Sequence, residues 1–129
     1  MALALGDAVS FLSNLAPGAG ATIVIGVGTG TTGAVSASLA ATAGVTNWLT
    51  GFDVSAIGGT ATIGPITVAT LIGSKTLTYQ LASTASGNTL SVRFDPPLPA
   101  SAQNAAITVT TTADGTATAV DVNVYGFQE

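Results

Sequence analysis

From Thr76 onward, hydrophobic residues recur at every second position, and this constrains the fold more than any other feature. Leu77, Tyr79 and Leu81 alternate with Thr76, Thr78 and Gln80. Leu90, Val92 and Phe94 alternate with Ser91 and Arg93. Ile107 and Val109 alternate with Thr108 and Thr110, and Val120, Val122 and Val124 with Asp121 and Asn123. A period of two sends successive side chains to opposite faces of a strand, so each run has one face for a core and one for its surroundings. The second face is mostly Thr, Ser, Asn and Gln, and the branched Cβ of Thr suits a pleated surface. A slip of one residue would turn a whole set outward. The apolar members of these runs are therefore expected to be buried together.

Turn signals separate the runs. Ser86-Gly87-Asn88 precedes Leu90, and Asp114-Gly115 reads as a tight turn between two strands. Asp95-Pro96-Pro97-Leu98-Pro99 is expected to interrupt a ladder, because proline has no N–H to donate. Upstream, strands are expected over Thr22 to Val27, over Val35 to Ala41, over Asn47 to Ser55 with a kink at Gly51, and after Pro65. About eight short strands argue for an all-β, antiparallel sandwich or jelly-roll-like domain. It is expected to occupy residues 21–129, preceded by an N-terminal arm over residues 1–20. In the arm, Asp7 could cap a short helix with the stripe Leu5, Val9, Leu12 and Leu15, with Phe11 on a neighbouring face. Pro17-Gly18 would end it. So short a helix is unstable alone and needs a surface to bury against.

Composition removes most chemistry. Only 6% of the 129 residues are charged, against about 25% in an ordinary soluble domain. There are two basic residues, Lys75 and Arg93, six acidic ones, and no histidine or cysteine. Two cations cannot meet the phosphates that duplex binding neutralises, so no nucleic-acid partner is expected. Histidine- and cysteine-based triads and zinc sites are out of reach, and Ser74 and Lys75, as strand neighbours, would point to opposite faces. No apolar run approaches the ~18 residues of a membrane helix, and the N-terminal Met1 to Leu5 stretch lacks the basic flank of a leader. Hydrophobic residues make up 47% of the chain and the net charge is −4. That pairing is the reverse of a disordered chain.

The most suggestive motif is Gly28-Thr29-Gly30-Thr31-Thr32-Gly33, with Asp53 about twenty residues later, the outline of a dinucleotide fingerprint. The segment after it alternates like a strand and no crossover helix follows. A flexible hairpin loop is the expected reading, without a cofactor. The carboxylates are scattered rather than paired as glycoside hydrolysis would require. Asp121 could meet Arg93 across a sheet. No D-x-[DN]-x-[DN]-G calcium loop is present, so no metal is expected. Trp48 and Tyr79 are expected in the core. Tyr125, opposite in parity to Val122 and Val124, is expected on the outer face as an interaction residue.

Several stretches together resemble a known group. They are Ala43-Gly44-Val45-Thr46-Asn47-Trp48-Leu49-Thr50-Gly51-Phe52, Thr76-Leu77-Thr78-Tyr79, Phe94-Asp95-Pro96-Pro97-Leu98-Pro99-Ala100, Asn104-Ala105-Ala106-Ile107-Thr108-Val109 and Val124-Tyr125-Gly126-Phe127. This order resembles the small Ala/Thr/Gly-rich accessory proteins of tailed-bacteriophage virions, of head-decoration type. The resemblance spans residues 43–127 and implies a compact β-sandwich in the virion. It carries no functional residues over.

The expected function is therefore a non-enzymatic decoration or cement protein on the phage head. Its expected partners are further copies of itself, with a trimer favoured, and the major capsid protein. The candidate interaction residues are Leu5, Val9, Phe11, Leu12, Leu15 and Tyr125. A surface poor in charge suits burial against other protein, since charge is depleted at interface cores. The alternatives are a tail or fibre component that binds a host glycan, and a secreted adhesin or carbohydrate-binding module. An enzyme ranks last.

Overall fold

A computed structural model describes residues 20–60, 62–113, 115–117 and 119–129. The arm and its residues Leu5, Val9, Phe11, Leu12 and Leu15 lie outside the described residues, as does Asp114. The described residues form eight strands: β1 (Thr22–Gly30), β2 (Ser36–Leu39), β3 (Asn47–Ile57), β4 (Ile66–Leu71), β5 (Lys75–Tyr79), β6 (Asn88–Pro99), β7 (Ile107–Thr110) and β8 (Ala119–Gln128). A single 3-10 turn, Ile72–Ser74, lies between β4 and β5. The chain is an all-β antiparallel sandwich of two four-stranded sheets, ordered β1-β8-β3-β6 and β2-β7-β4-β5.

The pairing is nested. β1 pairs with β8, β2 with β7, β3 with β6 and β4 with β5, all antiparallel. Every connection except the one through the 3-10 turn carries the chain from one sheet to the other. Alternation along each strand then delivers one apolar face from each sheet to a shared interior. Phe52, Val54 and Leu49 of β3 and Val120, Val122 and Val124 of β8 face Ile66 and Val68 of β4 and Ile107 and Val109 of β7. Each of these ten residues in the two central strand pairs is buried because strands cover it on both sides as well as opposite.

The expected core faces inward as one set. Ile107, Val109, Leu81 and the three valines of β8 are buried, while Leu77, Tyr79, Leu90, Val92 and Phe94 are half-buried against the same cluster. The difference follows from position: β5 and β6 are sheet edges, covered from one side only. The centre of the core is Phe52, with Tyr79 edge-on at 5.4 Å and Phe94 at 6.3 Å between ring centroids.

Two expectations are corrected, those for the Gly28–Gly33 loop and for Trp48. Gly28 and Gly30 are not in a hairpin loop but inside β1, and β1 leads to β2 in the opposite sheet. A Cβ on Gly26 or Gly28 would collide with the carbonyl oxygens of Ser38 and Ser36, and one on Gly30 would sit 2.6 Å from Cγ2 of Val35. The alternate glycines let two edge strands cross in near backbone contact. The proline segment does break its ladder, as expected: pairing with β3 runs as far as Gly51 opposite Arg93 and resumes only at Leu49 opposite Leu98, so that Phe94 to Pro97 have no partner on β3, although β6 as a strand continues to Pro99. As an edge strand it can carry residues without N–H donors on its open side, and its register shifts between Leu49 and Gly51. Trp48 is outside the core cluster, on the outer side of its sheet, stacked on Phe127 with centroids 6.0 Å apart.

Candidate functional site

The outer face of the β1-β8-β3-β6 sheet holds the distinctive side chains. Register places Ile25 opposite Tyr125, Tyr125 opposite Gly51, and Gly51 opposite Arg93. This row crosses the whole sheet. Its neighbouring row runs from Val27 through Asn123 and Asp53 to Ser91.

Gly51 makes the row work. A Cβ there would lie 2.7 Å from Arg93 Cδ and 2.6 Å from the Val92 carbonyl oxygen. With hydrogen instead, Arg93 lies over the gap, and its guanidinium carbon stands 5.2 Å from the centroid of the Tyr125 ring. Arg93 Nη1 donates to Asp53 Oδ1 at 3.1 Å, and Nη2 to Oδ2 at 3.4 Å. Tyr125 Oη donates to Asp53 Oδ2 at 2.7 Å. Arg93 thus pairs with Asp53, not with Asp121 as expected. Asp53 and Arg93 are two strands' direct neighbours, whereas Asp121 lies one strand further away, opposite Ser55.

The electrostatics follow from these contacts. Burial pushes the Asp53 carboxyl up, but hydrogen bonds from Tyr125, Arg93 and Ser91 and the Arg93 charge outweigh it and hold the group below its ordinary range. The hydrogen bond to Asp53 pushes the Tyr125 phenol up, with burial and the Asp53 charge adding to it. Neither group is poised for proton transfer near neutral pH. The cluster is a locked, charge-balanced platform.

Beside it, Ile23, Ile25 and Val27 stand along β1 with 75%, 61% and 65% of their surface exposed. Three large apolar side chains in a row, all outward, are a patch rather than scattered exposure. Tyr125 lies half-buried on the outer face next to this row, where sequence parity put it. The β1 row was missed in the sequence because Thr22 to Val27 reads as continuous β-branched residues, with no parity to say which face is covered. The signal was Gly26, Gly28 and Gly30, whose spacing marks the inward positions.

Two other regions were weighed. A shallow groove at one end of the sheet is lined by hydroxyl, amide and carboxylate groups of Ser55, Ser86, Asn88, Thr89 and Asp121. On the opposite sheet Ser36, Thr110, Thr67 and Thr78 form a row of hydroxyls across all four strands, with Ser36 and Thr110 2.8 Å apart. Among the described residues no three acidic, histidine or cysteine side chains gather as a metal site. Gly28 to Gly33 stands at no helix N-terminus, since Gly28 and Gly30 are strand residues and a bend follows, so the geometry that cradles a pyrophosphate is missing there. No protein-family model matches the chain, and no curated protein matches it.

Proposed function

We propose that this protein is a non-enzymatic structural component of a phage virion, most specifically a head decoration or cement protein that packs on the major capsid shell and on copies of itself. The observation that carries this reading is the exposed row Ile23, Ile25 and Val27 beside Tyr125 on the outer face of the sheet. Covering such a row removes apolar surface from water at ~25 cal/mol per Å². The Arg93–Asp53 pair on the same face is closed on itself and so brings no net charge to a contact there. The nested strand pairing is also the way a jelly roll is wound, an architecture used by viral capsid and lectin domains among others. Fold alone does not assign the role.

The groove near Ser55 and Asn88 favours a second reading, a tail or fibre component that binds a host-surface glycan. Its hydroxyl and amide groups suit sugar hydroxyls, although no aromatic ring lines it for stacking.

The test is a cryo-EM map of purified particles from the phage that encodes this chain. Density for the sandwich on the head shell supports decoration. Density at the tail moves the role to the second reading. A particle without the chain overturns both.

A further inference from the structure

Four strands end the two sheets: β1 and β6 in one, β2 and β5 in the other. A sheet edge offers free N–H and C=O groups to any other strand, and proteins blunt it with short strands, prolines, charges or bulges. Three of these edges are blunted. β6 carries Arg93, Asp95, Pro96, Pro97 and Pro99, and its register shifts against β3. β5 has five residues and begins with Lys75, and β2 has only four residues. β1 has no such device. It runs nine residues with no charge and no proline, in unbroken register with β8 from Thr22 to Gly30. Among the described residues, no strand pairs with its other side.

We propose that β1 pairs antiparallel with β1 of a second copy, about a two-fold axis through Ile25, so that two four-stranded sheets become one continuous sheet of eight. A two-fold pair sets a strand against its own reverse, so the strand must be complementary to itself. Centred on Ile25, the pair places Ile25 against its own copy and Ile23 against Val27, apolar against apolar in cross-strand contact. Neither strand has a charge to repel the other. On the opposite face the same register sets Val24 against Gly26 and Thr22 against Gly28, again with no charge among them. The inference deepens the assembly role and rests on it only in taking this outer face to be covered by protein. Its symmetry differs from the trimer favoured in the sequence analysis.

The chain has no cysteine, so a disulfide in an Ile25→Cys variant reports the axis directly. Oxidised in solution, that variant is expected to be mostly a covalent dimer. A Thr29→Cys variant is not, because its copies would stand ~26 Å apart, four residues to each side of the axis at ~3.3 Å per residue. By sedimentation the unaltered full-length chain is expected to be a dimer. Ile25→Lys is expected to give a monomer with unchanged far-UV circular dichroism, and Ile25→Val to keep the dimer. An unaltered chain that is monomeric at tens of micromolar, with no Ile25→Cys cross-link, overturns the proposal. That result would assign the edge to residues 1–19 or to another protein. A trimer whose mass Ile25→Lys leaves unchanged overturns it as well. A monomer that still binds its particle would sink the strand pair while leaving the virion role standing.

Discussion

Gly26 faces Ser38 so closely that a Cβ on the glycine would overlap the serine carbonyl oxygen. The obstruction is backbone on both sides, so neither strand can yield by changing a rotamer. β1 and β2 belong to different sheets, and this contact closes one side of the sandwich. Gly26→Ala is expected to cost about 2–3 kcal/mol through overpacking, read from the urea midpoint. Gly33→Ala, which meets nothing within 4 Å, is expected to stay within about 0.5 kcal/mol. Calorimetry with NAD or ATP is expected to show no saturable binding. Binding that is lost in both glycine variants would revive the nucleotide reading.

Asn47 is 1% exposed and joins three segments that are far apart in sequence. Its Nδ2 donates to the carbonyls of Leu39, Ala40 and Ala105 at 3.1, 3.0 and 2.8 Å, and its Oδ1 accepts from Gln128 Nε2 at 3.0 Å. Asn47→Ala is expected to cost about 1–3 kcal/mol because the buried Leu39 carbonyl and the partly buried bonds to Ala40 and Ala105 lose their donor. Asn47→Asp is expected to cost more at neutral pH, since a carboxylate would face carbonyl oxygens. Part of that excess should return on acidification, as the group protonates. Equal midpoints for the two variants at neutral pH would contradict the hydrogen-bond assignment.

Phe52 is fully buried, whereas Phe94 is half-exposed on an edge strand. Phe52→Ala is expected to cost about 3–5 kcal/mol, the range for a buried aromatic truncation. Phe94→Ala is expected to fall below that range, because its ring already meets solvent. Thermal or urea unfolding of both variants gives the order directly, and a larger loss at Phe94 would mean that the core lies nearer β6.

The Asp53 cluster predicts losses of stability at both pH extremes. The Asp53 carboxyl sits below its unfolded value in the fold. Its contribution is thus complete above an unfolded value of ~3.9 and is lost as pH falls through the lower folded value. Tyr125 is the reverse: its folded value is raised, so its contribution is complete below ~10 and is lost as pH rises through the folded value. Asp53→Asn is expected to flatten both limbs. The Arg93–Asp53 pair is partly exposed, with 59% and 21% of the two side chains accessible. A double-mutant cycle is therefore expected to give below about 1 kcal/mol for it. An alkaline limb unchanged in Asp53→Asn would show that Tyr125 does not depend on this carboxylate.

Local pattern alone determined the strands from Thr76 onward, because alternation is a property of neighbours in the chain. It also determined that Ile107, Val109, Val120, Val122 and Val124 point one way and Tyr125 the other. Composition left no histidine or cysteine for catalysis. Tertiary structure decided everything that depends on which strand lies beside which. Gly26, Gly28 and Gly30 read as a loop until β2 is placed against them. The prolines of β6 read as a break, and the ladder with β3 does skip Phe94 to Pro97, but only the tertiary structure resumes the pairing at Leu98 and Pro99. Arg93 could have met Asp121, and only the β6-β3-β8 order, with Gly51 as the gap, gives it to Asp53. The exposed row of β1 has the same origin. A run of β-branched residues carries no mark of which side is covered, and only the pairing of distant segments, which no local period encodes, assigns its faces.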